Sequence, residues 1–139
     1  MSSASRHYAE FVGTTNALRR EQREGVDRLV SGGTQPVTVQ RAQILATMRE
    51  VEAAWYRLSM VASHSMMVRA AMFENNGYNF LHSFEQVERY EAKATDLWDQ
   101  VTGLDDLEEF TEAARRELGA GDDLRHRVRR WFASRRAAR

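Results

Sequence analysis

The sequence predicts an all-α protein, and three observations carry that reading. Proline occurs once, at Pro36, and most glycines fall where helices would stop: Gly32–Gly33, Gly77, Gly103, Gly119 and Gly121. Long segments without breakers favour helix over strand. Strict apolar–polar alternation is missing, and the run Val37-Thr38-Val39 is too short to outweigh its surroundings. Apolar residues instead recur at steps of three and four. The expected architecture is a four- to five-helix bundle around a long central antiparallel hairpin, about 38–74 and 80–102. A chain of 139 residues suits one domain, with 1–121 as the bundle and 122–139 as an Arg-rich C-terminal helix.

The first helix is expected within 5–30, with Tyr8, Phe11, Leu18, Val26 and Leu29 on one face. Gly13 and Gly25 each cost about 1 kcal/mol against Ala in a helix interior. Thr14-Thr15-Asn16 could cap a fresh start, leaving residues 1–13 as an arm.

The segment 38–74 carries the clearest periodicity. Ile44, Met48, Val51, Trp55, Leu58, Ala62, Ser65, Arg69 and Met72 form a heptad seam, which predicts a rod of about 55 Å. Between Ala53 and Phe73 only Arg57 and Arg69 are firmly charged, and apolar residues appear on every side. Such a helix needs several neighbours, or a second subunit, to cover it. Asn75-Asn76-Gly77 is expected to end it, with Gly77 as a left-handed C-cap. The next helix, 80–102, carries Phe80, Phe84, Val87, Ala94, Trp98 and Val101, and Glu91 falls on its apolar seam. A core-position Glu pairs with an arginine, sets register or marks a polar pocket, and pairing is the expectation here. An antiparallel hairpin with this turn places Arg57 near Asp96 and Arg69 near Glu85.

A helix at about 106–118 opens with Asp105-x-x-Glu108, a capping-box-like signal, and carries Leu107, Phe110, Ala114 and Leu118. The last, about 123–138, carries Leu124, Val128, Trp131 and Phe132.

Twenty basic and twenty acidic side chains cancel, so no global field steers a polyanion. The absence of cysteine excludes disulfides, thiolate metal sites and a cysteine nucleophile. The longest uncharged stretch, Leu29 to Gln40, contains two glycines and Pro36 and falls short of the ~20 apolar residues of a membrane span. Residues 1–12 lack the apolar core of a signal peptide, and the expected setting is cytoplasmic.

Charge is nevertheless segregated. Residues 81–121 hold eleven acidic and four basic side chains, a net of −7, while residues 122–139 hold seven arginines and two aspartates, a net of +5. Three readings compete for Arg125, Arg127, Arg129, Arg130, Arg135, Arg136 and Arg139. The helix could dock by its apolar side, its arginines facing water or Asp106, Glu108, Glu109 and Glu112. It could grip nucleic acid through phosphates, with Trp131 or Phe132 as a stacking face. It could lie on an anionic membrane, though four large apolar residues bury little area.

Sites for chemistry are sparse. His7, His64, His82 and His126 show no i, i+4 pair, and His82-x-x-Glu85 is a weak chelate, so no metal is expected. His64 stands amid Met60, Met66 and Met67, a combination found at haem sites, but methionines at helical spacing are the usual filler of cores and sticky interfaces. No cofactor is implied. No phosphate loop appears, and Lys93 is the lone lysine. Arg57 followed by six residues and His64 resembles, in spacing, the Arg-x(4–6)-His signature of HEPN ribonucleases, a helical family of similar size. That family usually has a polar residue after the arginine, where this chain has Leu58. The resemblance implies a ribonuclease with Arg57 and His64 on one helix face.

The leading expectation is non-enzymatic: a helical assembly or adaptor protein, a homo-oligomer built through 38–74 by way of Met48, Trp55, Met60, Met66, Met67 and Met72. Its Arg-rich end would contact an acidic partner. A nucleic-acid-binding protein, part of a ribonucleoprotein or phage-type packaging assembly, is the second reading and the ribonuclease the third.

Overall fold

The computed structural model describes residues 2–31, 37–90, 97, 101, 104–119, 128–131 and 133. Four long helices and a short helical stretch at 128–131 account for nearly all of them, with no strand among the described residues. The long helices are α1 (Ser3–Ser31), α2 (Val37–Ser59), α3 (His64–Tyr90) and α4 (Leu104–Leu118). The all-α bundle is therefore present, but its hairpins are not those the periodicity suggests.

α1 is one helix, capped by Ser2, whose Oγ accepts the Ser5 amide at 3.2 Å. The expected restart at Thr14 does not occur. Thr14 Oγ1 donates to the carbonyls of Glu10 and Phe11 at 3.0 and 3.1 Å, so its hydroxyl is used inside the helix. α1 and α2 pack antiparallel along their length. Arg57 Nε donates to Glu10 at 2.9 Å at one end, and Gly25 lies beside Ile44 towards the other.

The expected rod over 38–74 is two helices. After Leu58 the turn tightens: the Met60 amide donates to Arg57 O, and the Val61 and Ala62 amides donate to Leu58 O at 3.0 and 2.9 Å. Ser63 then caps α3, its Oγ accepting the Met66 amide at 3.3 Å. The seam changes phase at this turn. Ile44, Met48, Val51 and Leu58 are buried as expected, but Ser65, Arg69 and Met72 face solvent, and Met66, Ala70, Phe73, Phe80, Leu81 and Phe84 take over the core. Folding back lets both halves bury an apolar stripe in one protomer, which a straight rod could not do.

Asn75-Asn76-Gly77 accordingly lies inside α3. Gly77 is needed for close approach: a Cβ there would stand 2.2 Å from Met48 Sδ and 3.1 Å from Leu18 Cδ2. Arg69 and Glu85 share α3, four and a half turns apart, and cannot face each other. Arg57 pairs with Glu10 in α1, while Asp96, Glu91 and Trp98 lie outside the described residues.

α4 packs in the groove between α1 and α3. Phe110 is the wedge, with ring centroids 5.3 Å from Phe11, 5.7 Å from Phe73 and 6.2 Å from Tyr8. Edge-to-face and tilted aromatic pairs at these distances add to area burial. The far end is pinned by Glu117, which accepts from the Tyr8 hydroxyl and from Ser63. α4 runs antiparallel to α1, and so to α3. It ends at Gly119, whose φ of 63° suits the left-handed C-cap position.

Candidate interaction surface

The residues expected to mediate self-association divide into two groups. Met48 and Met66 are core side chains, and Trp55 and Met67 are half-buried. Met60 and Met72 are 73% and 62% exposed. The periodicity could not separate them because it ran the seam through the turn. Val68, 54% exposed, is a residue the sequence reading missed, though its spacing of four from Met72 was the available signal. Val68 and Met72 stand one turn apart on the outward face of α3. Tyr56, also exposed, lies on the last turn of α2 and packs edge-on against Trp55.

Beside this face runs a groove between α3 and α4, about 260 Å³ in volume. Phe73 and Phe110 form its floor, Met72 its lip, and Arg69, Asn76, Asp106 and Glu109 its walls. The groove continues into an open cleft edged by Glu108, Glu112 and Arg116. Glu112 is paired with Arg115 at 2.8 Å. Among the described residues none of Arg69, Asp106 and Glu109 takes part in an ion pair.

On the opposite flank of α4 the C-terminal arginine-bearing stretch is docked. Trp131 is half-buried with its ring over Gly13, where a Cβ would stand 2.4 Å from Trp131 Cε3. Val128 and Arg129 line a second cleft with Val12, Leu107 and Glu108. Arg129 and Arg130 are exposed. Arg125, Arg127, Arg135, Arg136, Arg139 and Phe132 lie outside the described residues.

Five ionisable groups among the described residues have displaced pKa values: burial and the hydrogen bond to Glu117 raise Tyr8, burial and the neighbouring Arg23 and Arg20 lower Arg19, and the other three are Glu74, Tyr78 and Glu117. Burial and the neighbouring Glu52 raise Glu74. The hydrogen bond to Glu52, with burial, pushes Tyr78 up to about 12. Burial pushes Glu117 up, but hydrogen bonds from Ser63 and Tyr8 outweigh it and hold the carboxyl below its ordinary value.

The ribonuclease spacing does not survive as geometry. The turn at 60–63 separates Arg57 from His64, so the two do not share a helix face, and the guanidinium is committed to Glu10. His82 is exposed with its Nε2 at 3.5 Å from the Gln86 amide. Among the described residues no cluster of three His, Asp or Glu could hold a metal ion, and no helix is long and apolar enough to cross a membrane. Comparison with protein-family models, curated proteins and solved structures gives no match to this chain.

Proposed function

We propose that the protein is a non-enzymatic helical assembly protein that self-associates through the outward face of α3 and contacts an acidic partner through its Arg-rich C-terminal segment. One observation carries the first half: Val68 and Met72 on α3, and Met60 in the turn before it, stay largely exposed although Ile44, Met48, Val51 and Leu58 of the apolar seam are buried. Exposed apolar side chains beside an apolar-floored groove support an interaction site there. Methionine, flexible and polarisable, suits such a surface. The exposure of Arg129 and Arg130 supports the second half. Docking of Trp131 on Gly13 removes one stacking face that nucleic-acid binding would use, so an acidic protein surface is the favoured partner.

Size-exclusion chromatography with light scattering tests the reading, with the 260/280 nm ratio followed before and after nuclease treatment. A mass above one protomer, unaffected by nuclease, is the expected result. A protomer mass at about 100 μM, where a weak dimer still forms, would overturn it.

A further inference from the structure

We infer that the occupant of the α3–α4 groove is a second copy of this chain, seated about a two-fold axis beside Met72, so that Arg69 of each copy meets the partner's Asp106. The inference deepens the self-association reading and rests on it. Its first support is the mixture of charge in the groove. Arg69 on α3 and Asp106 and Glu109 on α4 line one cleft, yet none is in an ion pair among the described residues. A surface of one sign would reject its own copy, whereas one holding both signs around an apolar centre is self-complementary, as a two-fold interface requires.

The second support is where the charges stand along the helices. Asp106 lines the groove with Met72, Phe73 and Asn76, whereas Glu112 and Arg116 line its continuation with Arg69. Asp106 is thus level with the Asn76 end and Arg69 lies about two turns away. A two-fold axis near Met72 exchanges these levels. It places the outward α3 faces antiparallel, Met72 against the partner's Met72 and Arg69 opposite the partner's Asp106. Face-to-face stacking of this kind also sets α4 over its counterpart, closing both grooves at once. A formal net charge of zero leaves no long-range repulsion between copies.

The test is a charge exchange read by light scattering, with circular dichroism confirming that each variant stays folded. Arg69→Asp and Asp106→Lys should each weaken the dimer at least tenfold, since each sets like charges together. Mixed one to one, the two variants should recover dimer, because Asp at 69 then meets Lys at 106 across one of the two contacts. Met72→Glu should give a protomer mass. A wild-type oligomer indifferent to all three variants would overturn this interface while leaving self-association standing. A wild-type protomer at about 100 μM would remove both. An oligomer that dissociates on nuclease treatment would overturn it in favour of nucleic acid as the bridge.

Discussion

The two flanks of α4 are built from the same short helix and end up in opposite states. Towards α1 the flank is closed: Tyr8 reaches Glu117, Leu107 and Phe110 pack on Val12 and Phe11, and the Arg-bearing stretch is laid over Gly13. Towards α3 the flank is open beyond Phe110, leaving Met72 at a lip and three charged groups unpaired among the described residues. The difference follows from side-chain size at the facing positions. α1 offers Gly13, a notch that takes an indole. α3 offers Met72 and Arg69, long exposed side chains that line the groove.

The largest effect should come from removing the wedge that both flanks share. Phe110→Ala deletes a 2%-exposed ring that touches Tyr8, Phe11 and Phe73, and should cost about 3–5 kcal/mol in urea unfolding. A loss below about 1 kcal/mol would mean that α4 is not held by this cluster. Next comes the closed flank alone. Gly13→Leu fills the notch under Trp131 and should cost about 1–3 kcal/mol through overpacking. In the Trp131→Ala background the same substitution should cost much less, and this coupling measures the notch directly. Equal costs in both backgrounds would place the indole elsewhere.

Much of this architecture was legible in the residues. Helix type follows from breaker scarcity, and the α4 stripe of Leu107, Phe110 and Ala114 is buried as its spacing implies. The turn at 60–63 was not read because neither proline nor glycine marks it. Its one signal is Ser63, three residues before the Met66 amide that it caps. A seam that runs on to Ser65 and Arg69 was itself a warning, since polar residues had replaced apolar ones at core positions. Gly77 misled for a related reason, because glycine serves close packing as readily as a helix end. The groove could not be read at all. It exists only because the phase change turns Met72 outward and brings Arg69 to the same cleft as Asp106, residues with no pattern linking them in the chain.

A smaller effect separates the flanks by pH. Glu117 holds its carboxyl below the ordinary value of 4.5, because burial is outweighed by hydrogen bonds from Ser63 and Tyr8. A depressed folded pKa means that the stabilisation is fully present above 4.5 and is lost as pH falls through the folded value. Glu117→Gln should therefore flatten the acid limb of the thermal midpoint below that pH and leave the neutral region less stable. Tyr8→Phe should do the same in part. An acid limb unchanged in both variants would show that the closed flank is held by packing alone.

The smallest effect on folding is expected on the open flank, and its smallness is what gives it meaning. Asp106 is exposed, with no ion pair among the described residues, and Met72 buries little of its side chain within the protomer. Asp106→Asn and Met72→Ser should thus change protomer stability by no more than about 0.5 kcal/mol, the range of surface substitutions that break no packed contact. Measured in dilute solution, where association is absent, the two variants and the wild type should unfold with the same urea midpoint. At high concentration the wild type should gain stability that the variants lack, because mass action rewards a folded state that binds its own copy. A midpoint independent of concentration for all three would mean that the open flank binds no second copy, whatever its exposed side chains suggest.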